Sequence, residues 1–156
     1  MSAARRLSAF LAQHDLSVPV SLTWAFDEYD VSKIDLSPHV LGVGHFDSAL
    51  GVKAIAINRN AHPYTQRMAL AHEVGHDILR HPDRLYTLRV GGDWFVTRAE
   101  RQAQYLAATL LLPFDRLLDE LSRGLSIGYL EDVFEVDHRL IEFRLDLAKC
   151  GKHNIM

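Results

Sequence analysis

Apolar positions change period several times along the 156 residues, and each change marks an element. Leu7, Phe10 and Leu11 fall at i, i+3, i+4, which predicts a short amphipathic helix over 3–14. Ser17-Val18-Pro19-Val20 breaks it, a second helical stretch follows through Trp24-Ala25-Phe26, and Ile34 to Pro38 reads as loop. The period then falls to two. His39 to Phe46 and Val52 to Asn58 flank the turn-prone Asp47-Ser48-Ala49-Leu50-Gly51, which predicts an antiparallel hairpin. Pro63 suits the first position of a helix that runs to about Arg80 and is closed by His81-Pro82. Met68, Ala69, Ile78 and Leu79 form its inner stripe.

Leu85 to Val90 and Asp93 to Thr97, joined by Gly91-Gly92, read as a second hairpin or as a lid. A second long helix starts near Thr97 or Arg98 and ends at Pro113. Helical spacing resumes through Leu117, Leu118 and Leu121 and stops at Arg123-Gly124. Over residues 126–145, Leu130, Val133 and Phe134 give one apolar face, Asp137 caps a further helix, and Ile141 and Leu145 give the other. This pair has a helix-turn-helix look, and two readings stand for it: helices that close the core, or a DNA-contacting unit. The acids Glu131, Asp132, Glu135 and Glu142 favour the first, because they would repel phosphate.

Composition narrows the class. A chain with 48% hydrophobic residues and this length can bury one core, so a single domain over 1–156 is expected, with a helical C-terminal section at about 114–147. The net charge of −3 gives no broad electrostatic grip on nucleic acid. One cysteine, Cys150, excludes an intramolecular disulfide and fits a reducing compartment. The run from Arg5 to Ala12 is too short for a secretion signal and is cut by Gln13-His14-Asp15. No segment approaches the ~20 apolar residues of a membrane span. A cytoplasmic, soluble protein is the expectation.

The candidate chemistry lies in His72-Glu73-Val74-Gly75-His76. On a helix, His72 and His76 stand one turn apart on the same face, where two neutral imidazoles can share one Zn²⁺. Glu73, one step round, is placed to take a proton from an activated water rather than to bind the metal. Gly75 leaves room for another element to dock. In the second long helix, Glu100, Ala103 and Ala107 put one carboxylate above a row of small side chains, which suits docking against Gly75. Glu100 would complete a His-His-Glu set with an open fourth position. The same Glu100 also completes a capping box with Thr97, and the two uses compete for one carboxylate. Asp77 and Asp93 are the fallback ligands, although Asp77 points off the face of His76. His62 and His81 read as solvent-facing. The first hairpin could offer an edge strand to an extended substrate. Tyr86, Arg89 and Tyr105 are candidate oxyanion donors, each more simply read as a packing or surface residue.

These residues resemble a known family. The run from Gln66 through His72-Glu73-x-Gly75-His76, followed by Glu100-x-x-Ala103-x-x-Leu106-Ala107-Ala108-x-Leu110-Leu111-Leu112-Pro113, is similar to the ImmA/IrrE family of bacterial and phage metallopeptidases. Leu130-x-x-Val133-Phe134-x-Val136-Asp137-x-x-Leu140-x-x-x-Arg144-Leu145 resembles its closing helical segment, so the likeness spans residues 34–147. The resemblance implies an α+β, zincin-like, gluzincin-type fold: a small antiparallel sheet, a His-Glu-x-x-His helix packed on a second, Glu-bearing helix, and a helical C-terminal section. It implies His72, His76 and Glu100 as zinc ligands and Glu73 as general base. It implies an endopeptidase that cleaves a helix-turn-helix repressor of the XRE type, or an antitoxin-like regulator, and so relieves repression. Gln104 stands where the family usually carries Asn, and Leu106 where Phe is usual. Neither is expected to touch a ligand, so both departures bear on packing. The rival reading is a non-catalytic partner of a regulator, or the toxin of a toxin–antitoxin pair, with the zinc structural or absent.

Overall fold

A computed structural model describes residues 1–91 and 97–149. Within them the chain runs α1 (Ala3–Leu11), α2 (Ala25–Glu28), β1 (Asp30–Ile34), β2 (Val40–Asp47), β3 (Val52–Asn58), α3 (Pro63–Ile78), β4 (Leu85–Arg89), α4 (Arg98–Leu111), α5 (Phe114–Ser122), α6 (Ile127–Phe134) and α7 (His138–Lys149). The class is α+β, as expected. The four strands lie in the order β1-β3-β2-β4.

The first hairpin forms where the alternation places it, with β2 and β3 antiparallel from Gly42↔Ile57 to Asp47↔Val52. Two strands are added to it. β4 pairs antiparallel with β2, and β1 pairs parallel with β3 from Asp30↔Ala54 to Ile34↔Asn58. The sheet is therefore mixed rather than wholly antiparallel. β1 has no legible pattern because an edge strand buries little: of its five residues only Val31 is even half-buried. The helical stretch around Trp24-Ala25-Phe26 shrinks to the single turn of α2. The hairpin lies inside the sheet, so it does not supply the free edge expected of it. Among the described residues that edge belongs to β1 and β4. The partner run of β4, Asp93 to Thr97, lies almost entirely outside the described residues.

The helix α3 is packed on two sides. The sheet meets it around Gly42 of β2, and α4 meets it where Ala103 docks on Gly75; Leu41, Phe46, Ile55, Ile57, Leu106 and Ala107 are buried in the same core. Every residue from Met68 to His76 is consequently buried. A helix enclosed in this way needs no polar face, which explains the apolar residues all round its middle. The Arg6 guanidinium of α1 donates to the Leu79 carbonyl at 2.6 Å, placing a cation at the C-terminal end of α3, where the helix dipole favours it. In α6 and α7, Leu130, Phe134, Leu140 and Ile141 are fully buried, so the apolar faces of the pair close the core. Among the described residues no helix is long and apolar enough to cross a membrane.

Candidate metal centre

His72 and His76 are 0% and 1% exposed, so neither is an ordinary surface histidine. The α3 helix ends just beyond them in a Schellman motif. Arg80 takes a left-handed φ of 56°, the Arg80 amide donates to the Asp77 carbonyl at 2.9 Å, and the His81 amide donates to the His76 carbonyl at 2.9 Å. That reversal folds His81 back under the ring of His76.

The second helix supplies the carboxylate. Thr97 caps α4 by accepting from the Glu100 amide at 3.2 Å, but the Glu100 side chain does not reach back to complete the box. It turns inward, with Oε2 3.0 Å from His72 Nε2 and 3.6 Å from His76 Nε2. The competition for this carboxylate is thus resolved towards the histidines. Gly75 makes the approach possible. A Cβ on it would lie 3.1 Å from both Cα and the carbonyl oxygen of Ala103, tight enough that the α4 backbone would have to give by a few tenths of an ångström.

The three converging atoms fit a metal. His72 Nε2 and His76 Nε2 are 3.3 Å apart, so the sides of the triangle are 3.0, 3.3 and 3.6 Å. A tetrahedral ion with bonds of about 2.0–2.1 Å holds its ligand atoms about 3.3 Å apart. Among the described residues this is the group of His, Cys, Asp and Glu side chains that could hold an ion. Burial pushes His76 down to about 4, which keeps it neutral as a ligand must be. Burial would raise Glu100, but the hydrogen bonds from His72 and His76 outweigh it and hold the carboxyl well below its usual range. Burial also opposes charge on His72, yet its contact with Glu100 and the negative charge of Glu73 outweigh that and raise it.

Glu73 faces the sheet side of the same turn. It is 0% exposed, and neither carboxylate oxygen has a formed hydrogen bond. Burial dominates its titration and pushes it up to about 7, with the charge of His72 and the nearby amides of Gly44 and Leu88, which form no full hydrogen bond to it, offsetting only part of that. Gly44 of β2 makes its space: a Cβ there would fall 2.5 Å from Oε2, whereas one at Gly42 would meet Glu73 Cγ at 3.5 Å, an ordinary contact. A buried carboxyl without a partner is costly, and water or substrate is what can satisfy it.

Other expectations are corrected here. Gln104 does touch a proposed ligand: it is fully buried, with Oε1 2.8 Å from His72 Nδ1. Its departure from the usual Asn therefore bears on the site and not only on packing; Leu106 stays in the core. His81 is not solvent-facing but half-buried, with Nδ1 2.9 Å from His76 Nδ1 and Nε2 3.1 Å from Gln102 Oε1. His62 is exposed as expected and caps α3 through Nδ1. Asp77 binds Tyr29 and Lys53, each at 2.7 Å, and takes no part in the group. Asp93 lies outside the described residues. Tyr86 donates its hydroxyl to the Pro82 carbonyl at 2.6 Å and stacks on His76 with ring centroids 3.7 Å apart, so it packs the site. Arg89 is exposed on β4, and Tyr105 interacts with Arg144.

The sequence reading missed His81, Gln102, Gly42 and Gly44. For Gln102 a signal exists, since it lies two residues before Gln104 on the helix that carries Glu100. For the glycines there is none, because nothing local says which strand faces Glu73.

Comparison with known proteins agrees with this geometry. A peptidase family model, M78, described as the IrrE N-terminal-like domain, matches residues 26–146. No curated protein matches the chain.

Proposed function

Since the chain belongs to the M78 peptidase family through an IrrE N-terminal-like domain over residues 26–146, we propose that it is a zinc-dependent endopeptidase acting on a helix-turn-helix regulator. The observation that carries the reading is a buried, unpartnered Glu73 beside the convergent His72, His76 and Glu100. His72 Nε2, His76 Nε2 and Glu100 Oε2 would hold the ion. When bound there, zinc supplies Lewis acidity, which polarises the scissile carbonyl and lowers the pKa of a water towards ~7. The protein's own groups do the rest. Glu73 takes a proton from the water as its oxygen attacks the carbonyl carbon, and delivers it to the amine as the C–N bond breaks. A carboxyl raised to about 7 can both accept and return that proton near neutral pH. β4, whose Tyr86 packs on His76, is an edge strand among the described residues, and its main-chain groups suit pairing with an extended substrate.

The substrate class, an XRE-type repressor or antitoxin-like regulator met in the cytoplasm, is what the resemblance to ImmA/IrrE peptidases implies. The test is co-expression of a helix-turn-helix regulator, of the kind expected near this gene, with wild type or Glu73→Gln, read by intact mass. Wild type should yield two fragments, while Glu73→Gln should bind one zinc per chain and leave the regulator whole. Equal relief of repression by both proteins would replace catalysis with a binding or toxin role.

A further inference from the structure

We propose that His81 and Gln102 are positioning residues that lock the His76 imidazole in its metal-binding tautomer; this rests on the zinc reading above. If the lone pair of His76 Nε2 faces the ion, the ring proton must be on Nδ1. The atom facing Nδ1 is His81 Nδ1, at 2.9 Å, which must then accept. The proton of His81 is thereby placed on Nε2, 3.1 Å from Gln102 Oε1. An amide oxygen has no proton to give, so the direction of both bonds is fixed from the far end.

The chain holds its ring in plane as well. Tyr86 stacks on His76 at an interplanar angle of 23° and is tied by its hydroxyl to Pro82, the residue after His81. The Schellman turn brings these parts together, because it sets the His81 amide on the His76 carbonyl. His72 is locked more directly, by Gln104 Oε1 at 2.8 Å, and the Gln104 amide nitrogen is turned towards Met68 Sδ at 3.8 Å. Gln102 and Gln104 flank Ala103, the residue that meets Gly75. One helix thus carries the carboxylate and the amides that orient both imidazoles.

The test measures zinc affinity of the full chain by competition with a chromophoric chelator, together with the Tm of the metal-free protein. His81→Phe fills the space without an acceptor. His81→Asn keeps an acceptor near the position of Nδ1, and Gln102→Leu removes the terminal oxygen. His81→Phe and Gln102→Leu should weaken zinc binding about 10–100-fold, as loss of a ligand's hydrogen-bond partner does. His81→Asn should stay within a few-fold of wild type, and the metal-free Tm should hardly move in any of them. Should His81→Phe fail to fold, Gln102→Leu carries the test. Wild-type zinc affinity in both apolar variants would overturn the proposal, as would a fall in metal-free Tm with affinity unchanged. A wild type that binds no zinc would instead overturn the metal reading itself.

Discussion

Glu73 has its character because a strand residue, Gly44, lacks a side chain and leaves the space its Oε2 occupies. Gly44→Ala would place a Cβ 2.5 Å from that oxygen, and the carboxylate must swing away. Misplacing a base by about 1 Å costs on the order of 10²-fold in rate, so kcat/KM should fall by about that much. Zinc affinity, read by chelator competition, should stay within about twofold of wild type, because a Cβ at Gly44 meets Glu73 and Phe46 and none of the proposed ligands. A variant that lost zinc and activity together would mean that Gly44 supports the ligands instead. The motif made the identities of His72, Glu73 and His76 legible in the chain, but the burial that raises Glu73 is invisible there. It depends on Gly44 in β2 and Leu88 in β4, both distant from Glu73 in the sequence.

At the scale of elements, the contact between α3 and α4 places the carboxylate beside the imidazoles. Gly75→Ala would put a methyl 3.1 Å from the Ala103 backbone, so α4 must shift by a few tenths of an ångström. The roughly 0.5–1 kcal/mol that alanine gains in a helix offsets only part of the overpacking. The expected cost is about 1–3 kcal/mol by denaturant unfolding, as overpacking usually gives. Zinc affinity should fall on the order of tenfold or more as Glu100 is withdrawn. Arg80 offers a prediction of the opposite sign. Exposed and at φ 56°, it holds a conformation that costs an L-residue roughly 1–2 kcal/mol. Glycine relieves that strain and loses roughly 0.5–1 kcal/mol to chain entropy. Arg80→Gly should therefore raise Tm by roughly 1–4 °C in a scanning calorimeter, with zinc affinity unchanged. A lower Tm would show that the Arg80 side chain contributes more than its backbone costs.

For the whole molecule, the proposed site ties two elements that the chain separates by 28 residues, His72 on α3 and Glu100 on α4. A ligand that binds only this folded arrangement stabilises it by mass action. Free zinc at about 100 times its dissociation constant should add about 2.7 kcal/mol, or roughly 5–10 °C in Tm over chelator-treated protein. Glu100→Ala should abolish most of that shift. An equal Tm with and without zinc would argue against a site preorganised by the fold. The N-terminal segment belongs to this scale too: α1 lies before the family match at residue 26 and yet holds the end of α3 through Arg6 and Leu79.

Period and spacing by themselves determined the first hairpin, the long helices and the face that carries both histidines. Those features follow from local geometry, since a helix repeats every 3.6 residues and a strand every two. The chain left Glu100 open to both a cap and a ligand use, because the spacing from Thr97 suits the cap while the small row of Ala103 and Ala107 suits docking as a ligand. Tertiary structure decided it, by docking Gly75 on Ala103 so that the carboxylate meets two imidazoles before it meets its own helix end. Tertiary structure also added β1, whose exposed edge leaves no hydrophobic pattern, and drew His81 inward through a left-handed turn at an arginine, a residue type that gives no warning of one. For Glu100 and β1 the deciding contact joins residues from different elements, and hydrophobic periodicity carries no record of which elements will meet; for His81 the turn is local, but no glycine marks it.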